Sequence, residues 1–416
     1  MSTPIYDVIV AGGGISGTMA AIAAAREGQK TLLIERYAAL GGMGTLGLVQ
    51  PITMWGIKGR YVIGGTGKKI LETLAAHPAH AATTVSHYGP ACDAEFLKYE
   101  LEKRAIDAGV ELLYHAWIIG VEKQADRITA LRIFSKAGEA ALQARTVIDA
   151  TGDADVAAFS DVPFDVGSQG ISLMFLVSGI DPDKCPPRNQ IGDIYGEHRV
   201  AYSGLALFWH PRRDTAYFNV TEVEGLDALN PYDLTKATIA CRQQAWEILG
   251  VMQQHVPGFE HAYIEQTASA LGVRESRRIQ GQYTLTVQEA ESGVHFEDVI
   301  ARASCPVDIH TSEDSGKGEY RGLKQSYAIP YRSLVTNDLS NLVVTGRSIS
   351  ADHGAHSSLR RMAPGFALGE AAGIAASLAN KTNDVRSINT QTLQQKLRDY
   401  DAILDPETVV ILSPAI

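Results

Sequence analysis

The sequence is short of cysteine, of positive charge and of long apolar runs. Its four cysteines (Cys92, Cys185, Cys241 and Cys305) are scattered, and no pair has Cys-x-x-Cys spacing. That excludes a zinc knuckle and a dithiol redox motif, and it disfavours a disulfide framework in a chain of 416 residues. A reducing, cytoplasmic compartment is the expectation. Lys and Arg number 37 against 47 Asp and Glu, a net charge of −10. A nucleic-acid partner needs a basic face, so none is expected. No run of about 18 apolar residues occurs, so no membrane span is expected. The small apolar stretch Tyr6 to Ala25 lacks a basic leader region, carries Asp7 and is interrupted by three glycines. It reads as strand, turn and helix rather than as a signal segment. His-Glu-x-x-His, Gly-x-Ser-x-Gly and cysteine-nucleophile motifs are also missing. Gly64 to Lys69 resembles a phosphate loop but lacks its first glycine and its final Ser/Thr, and reads as a flexible loop.

What the sequence has in excess is glycine: 39 residues of 416, against a usual share of roughly 7%. Hydrophobic residues at 45% and charged residues at 20% describe a folded globular chain. Gly12, Gly14 and Gly17 make Gly-x-Gly-x-x-Gly between an apolar β-branched run (Ile5 to Val10) and an alanine-rich helical stretch (Thr18 to Glu27). The first glycine permits the tight turn, the second admits a pyrophosphate to the backbone, and the third lets helix and strand pack closely. The helix N-terminus then offers free N–H groups and a positive dipole end. Glu35 closes the next strand about 20 residues on, where a carboxylate accepts ribose hydroxyls. This is a dinucleotide site, and Glu35 disfavours a 2′-phosphorylated ligand.

Further features favour FAD over NAD. The loop Leu40-Gly41-Gly42-Met43-Gly44-Thr45 follows the ribose acid closely. Short strands between Trp117 and Ala144 suggest an antiparallel meander in place of a crossover helix. Thr146 to Ala150 reads as a separate buried strand leading into Ala-Thr-Gly, and Leu342 to Thr345 as another leading into Gly346-Arg347. A small-residue helix, Gly365 to Asn380, follows. The middle of the chain is richer in aromatics, proline and histidine. The fold class is therefore α/β: a Rossmann-type FAD-binding domain, with parallel sheet and β-meander, and an inserted α+β substrate or cap domain. The expected division is 1–160 with 330–400 for the first, 161–329 for the second, and a tail at 401–416.

At these motifs the chain resembles the FAD-dependent oxidoreductases of the glutathione-reductase-type Rossmann superfamily, in particular those with a Leu-Gly-Gly-x-Gly-Thr loop. The stretches Gly272 to Arg278, Pro306 to His310, Ile329 to Leu334, Gly346 to Ser350, Ala355 to Arg360 and Gly369 to Gly373 carry the likeness over nearly the whole chain. The resemblance implies that Gly12, Gly14, Ser16 and Gly17 hold the pyrophosphate and Glu35 the adenosine ribose. It places Arg36 along the adenine and Ile118 against it. It sets Gly42, Met43, Gly44 and Thr45 near phosphate and flavin, and Ala150 and Gly152 along the cofactor. Arg347, Ser358 and Leu359 would close over the isoalloxazine, and a helix N-terminus would face the flavin N1/O2 edge.

The catalytic candidates come from residue chemistry. His353 and His356, at i, i+3, suit proton transfer alongside hydride transfer; a structural role is the competing reading, and two histidines alone make no metal site. His310 pairs with Asp308 two positions away, as an oriented imidazole or a structural polar pair. Arg274, Arg277 and Arg278 would fork a carboxylate or serve an inter-domain ion network. Tyr331 would donate to a substrate oxygen or pack at a hinge. The expected activity is hydride transfer between a small, carboxylate-bearing substrate and flavin N5. The alternatives are a flavin-binding assembly or RNA-modification factor, and an NAD-dependent dehydrogenase. With no second Gly-x-Gly-x-x-Gly after a strand, the electron partner is left to oxygen, a quinone, a carrier protein or a diffusible nicotinamide. A homo-oligomer is compatible with the sequence.

Overall fold

The structure, a computed structural model, describes residues 5–77, 79, 89, 91–198, 204–310 and 319–406. Residues 407–416, most of the expected tail, lie outside it. Strand β1 (Ile5–Ala11) is buried along most of its length, as a central parallel strand must be. The alanine-rich helix α1 (Ile15–Arg26) follows, and β2 (Thr31–Glu35) returns parallel to β1 with Val10 opposite Leu33. A small hairpin, β3 (Gly56–Ile57) and β4 (Arg60–Tyr61), leads to α2 (Gly65–Ala75) and α3 (Ala94–Asp107). Helix α2 corrects the loop expected at Gly64 to Lys69. Its Thr66 N–H donates to the buried Glu370 carboxylate at 3.1 Å, and Ile70, Leu71 and Leu74 enter the core.

Next come β5 (Glu111–Tyr114), β6 (Trp117–Gln124), β7 (Arg127–Ser135) and β8 (Gly138–Asp149). The main sheet runs β5-β2-β1-β8-β7-β6. Strand β8 joins two patterns that the sequence suggests are separate strands, because no breaker falls between Gln143 and Thr146. Its first half pairs antiparallel with β7 and closes the meander, while its second half, from Gln143 to Asp149, lies parallel to β1. Short α4 (Asp155–Phe159) and β9 (Phe164–Val166) then lead away from this sheet.

The middle of the chain supplies β10 (Phe175–Ser178), α5 (Arg188–His198), β11 (Leu207–Trp209), β12 (Ala216–Phe218), α6 (Pro231–His255), β13 (Tyr263–Thr267) and β14 (Arg277–Ile279). An antiparallel sheet of order β11-β12-β10-β13 buries Phe175, Val177 and Phe218 against Ala245, Ile248, Leu249 and Met252 of α6. Helix α6 starts cleanly because Asn230 caps the Tyr232 N–H and Pro231 occupies the first turn.

The chain then forms α7 (Val287–Ser292), β15 (Val299–Ala303), β16 (Val307–Ile309), β17 (Glu319–Arg321), β18 (Tyr327–Pro330), β19 (Leu342–Val344), α8 (His353–Leu359), α9 (Met362–Thr382) and α10 (Thr390–Asp399). Strand β19 adds in parallel to the end of β8, Val343 opposite Ile148. Helix α9 lies along α1 at backbone contact distance: a Cβ on Gly369 would stand 2.1 Å from Ser16 O, and one on Gly373 2.2 Å from Ala20 O. Among the described residues α9 alone is long and apolar enough to cross a membrane, yet 89% of its apolar window is buried within the protein. The molecule is the expected α/β fold, a parallel sheet with a meander.

Candidate functional site

Two cavities open where the strands of the main sheet end, the place where open α/β sheets bind ligands. The larger is a cleft of about 440 Å³ lined by Gly12 and Gly14 after β1, Glu35 at the end of β2, Ala150 after β8 and Gly346 after β19. Gly12 holds a left-handed φ of +103°, and a Cβ there would lie 2.4 Å from Ala150 O. A Cβ on Gly17 would lie 1.9 Å from Gly12 O, so the turn tolerates no side chain at either position. At Gly14 a Cβ would meet nothing within 4 Å, because that side faces the open cleft. Gly14 also leads α1 with no side-chain cap, leaving the helix N-terminus available to an anion. Glu35 is anchored by N–H donors from Gly13 (2.7 Å) and Tyr37 (2.9 Å) and still borders the cleft. The Arg36 guanidinium lies over the Tyr37 and Trp117 rings, 5.1 and 5.4 Å from their centroids.

The smaller cavity, about 220 Å³, shares a wall with the cleft: Met43, Val273, Arg347, Arg360, Arg361 and Met362 line both. Its polar side is a chain of alternating charge. Arg274 Nη1 lies 3.3 Å from Glu222 Oε1, His310 Nδ1 lies 3.0 Å from the same oxygen, and His310 Nε2 lies 3.3 Å from Asp308 Oδ1. Asp308 in turn pairs with Arg361. Burial works to raise the Asp308 carboxyl, but the His310 hydrogen bond and the Arg361 and Arg360 charges hold it well below the usual carboxylate range. Glu222 is lowered in the same way, burial being outweighed by His310 and Arg274. Arg360 is pushed down to about 9 by burial, with Arg361 and Arg274 adding like-charge repulsion.

Most of the residues expected along a cofactor line the cleft: Gly12, Gly14, Ser16, Glu35, Arg36, Gly42, Met43, Ile118, Ala150, Gly152 and Arg347. Gly17 packs behind the turn. Gly44 and Thr45 lie behind the loop, where the Thr45 hydroxyl donates to Leu40 O at 2.6 Å. Ser358 and Leu359 are placed differently from the expectation. Ser358 donates to Cys305 O at 2.6 Å, and Leu359 points into the core. The helical turn of α8 carries both inward, and Arg360, Arg361, Met362 and Gly365 line the cleft instead. The uncapped start of α9 stands there too, in keeping with the helix end expected near the flavin.

Of the catalytic candidates, His310 and Arg274 border the small cavity. His353 Nδ1 lies 2.8 Å from Glu275 Oε2. His356 is fully buried, 3.7 Å from Glu275 Oε1, and burial pushes its imidazole down to about 3. Tyr331 is buried and donates to Val385 O at 2.8 Å. Arg277 donates to Asp153 O and pairs with Asp155 at 2.9 Å. Arg278 Nε stands 3.0 Å from Glu275 Oε1, a charge contact without hydrogen-bond alignment. The expected arginine fork is therefore divided. Only Arg274 reaches the small cavity, because Arg277 and Arg278 lie in β14, which pairs with β9. Its companions are Arg360 and Arg361, legible in the sequence only as consecutive arginines before a small-residue helix. Among the described residues no His/Cys/Asp/Glu group suited to a metal occurs.

Residues 7–397 match the family of FAD dependent oxidoreductases. No curated protein matches. Among solved structures, a geranylgeranyl bacteriochlorophyll reductase-like protein from Thermoplasma acidophilum is similar at 15% identity and TM-score 0.52, over 95% of this chain and 83% of that one. A p-nitrophenol 4-monooxygenase from Pseudomonas putida is similar at 11% identity and TM-score 0.49, over 95% and 84%. A myxobacterial chondrochloren halogenase is similar at 15% identity and TM-score 0.47, over 95% and 79%. The cofactor is FAD, and the residues present fit it. The cleft offers an uncapped helix N-terminus and a glycine turn open at Gly14 for a pyrophosphate, and an anchored carboxylate at Glu35 for a ribose.

Proposed function

The chain belongs to the FAD-dependent oxidoreductase family, and we propose that it transfers a hydride between a small, carboxylate-bearing substrate in the 220 Å³ cavity and the flavin N5 of FAD in the cleft. The observation that supports this most is the common wall. Six residues line both cavities, so a molecule in the small one lies next to the cofactor cleft. Met43 and Met362 give that wall an apolar part.

The chain's own residues supply binding and proton handling. Arg274, Arg360 and Arg361 give the cavity a positive side for a carboxylate. His310 takes or gives the proton of a substrate O–H or N–H at a ring nitrogen. Glu222 and Asp308 brace the ring from both sides, so it keeps its place when one of those bonds is surrendered.

Purified protein should be yellow. Under anaerobic conditions, small hydroxy- and amino-carboxylates should be screened for bleaching of the flavin absorbance. Bleaching by a member of that set supports the reading; colourless protein that binds NAD would overturn it.

A further inference from the structure

The polar side of the small cavity carries one cation too many. Arg274 is matched by Glu222, Arg361 by Asp308, and Arg347 by Asp153, whose Oδ1 lies 2.5 Å away. Deeper in, Arg278 stands against Glu275 and Arg277 against Asp155. Arg360 is left over. Its nearest carboxylate oxygen, Asp308 Oδ2, is 3.7 Å away and already engaged by Arg361. One guanidinium N–H of Arg360 donates to Asp308 O at 3.0 Å, while its buried Nε has no partner. An unmatched buried guanidinium is costly, and a ligand anion removes that cost.

The cavity also has apolar lining, from Val49, Pro51 and Phe208 together with Met43 and Met362 of the shared wall. At about 220 Å³ the space is also smaller than the roughly 300–1,000 Å³ of drug-sized sites. We propose that this cavity binds a small amphipathic monocarboxylate, its carboxylate on Arg360 and its apolar body against Phe208 and Pro51. A planar carboxylate suits the guanidinium fork. A second carboxylate on the same ligand would find no second unmatched guanidinium, because Arg274, Arg361 and Arg347 already face Glu222, Asp308 and Asp153.

This inference deepens the functional reading above and rests on it for the statement that the ligand is a substrate. Its test needs no knowledge of the substrate. The FAD-loaded protein is titrated calorimetrically with benzoate, with benzamide as the neutral isostere and with terephthalate as the dianion. Benzoate is expected to bind saturably, and the other two at least about tenfold more weakly. Arg360→Gln should abolish the preference for benzoate over benzamide. Phe208→Ser should weaken benzoate and leave the flavin-to-protein ratio unchanged. Equal affinity for benzoate and benzamide, or no saturable heat with benzoate, overturns the proposal. If Arg360→Gln does not fold, the benzamide and Phe208→Ser arms still decide it. Benzoate binding as described, with no carboxylate ever bleaching the flavin, keeps the site and discards the hydride reading.

Discussion

The cleft and the cavity beside it are built by opposite means. The cleft is made largely of main chain: glycine turns, an uncapped helix end, and one carboxylate held by backbone N–H groups. The cavity owes its character to side chains, with Arg274, Asp308, His310, Arg347, Arg360 and Arg361 brought together from distant parts of the sequence. A main-chain site depends little on pH and tolerates no added atoms at its packed positions, here Gly12 and Gly17. A side-chain site changes its properties when one charge is removed, while the backbone around it stays in place.

That contrast orders the expected effects. The largest belongs to Gly17→Val, because even a Cβ there would stand 1.9 Å from Gly12 O; the purified protein should carry almost no FAD, read as the flavin-to-protein ratio. Glu35→Gln keeps the shape but can accept only one of the two N–H bonds, from Gly13 or Tyr37, and loses the charge proposed to hold the ribose. It should cost about 1.5–3 kcal/mol, or roughly 10–100-fold in the Kd for FAD. Asp308→Asn should do the converse: normal FAD content but a fall in kcat/KM of at least about tenfold for a carboxylate substrate, since Arg361 loses its partner and His310 one of its braces. Loss of FAD in that variant would break the distinction between the two regions.

A smaller effect lies in pH. Glu275 is held down to about 2 from 4.5, burial being outweighed by His353, His356 and Gln169, and His356 sits near 3 instead of 6.5 because of burial. A group with a lowered folded-state pKa contributes stability above its unfolded value and loses it as pH falls toward the folded one. Thermal stability should therefore decline from about pH 6.5 downward through His356, and from about 4.5 downward through Glu275. His356→Gln should flatten the upper part of that decline, between pH 6.5 and 4.5, in melting curves. The smallest effect is expected of Arg277→Lys. The Arg277–Asp155 pair is partly solvated, so stability should change by less than about 1 kcal/mol, with turnover unaltered.

The same contrast explains what the sequence revealed. The cleft was legible because main-chain chemistry writes itself as glycine spacing: Gly12, Gly14 and Gly17 form one short cluster and Gly41–Gly44 another, and the two meet in space at the Gly14–Gly41 bridge. The fusion of two expected strands into β8 was missed because an unbroken extended stretch leaves no punctuation. The cavity was only partly legible. Arg274 and His310 are distinctive residues in motif-like stretches, but which arginines gather depends on sheet pairing. Strand β14 pairs with β9 and takes Arg277 and Arg278 with it, while the start of α9 delivers Arg361 and Met362. Ser358 and Leu359 differ from Arg360 and Arg361 only by helical phase, which one residue of error in a helix boundary is enough to rotate.

The pressing of α9 onto α1 has a consequence for how the protein is made. Ser16 and Thr345 share a hydroxyl contact of 2.8 Å across 329 positions, and Gly369 and Gly373 touch the backbone of the first helix. The nucleotide turn leaves the ribosome some 329 residues before its far wall does. Contacts of such long sequence separation form late and slowly. A nascent chain halted after its middle sheet would own a glycine turn without a seat for a cofactor. Flavin capture is thus tied to synthesis of the stretch from Thr345 through α9, and a chain truncated before residue 345 should be found without flavin.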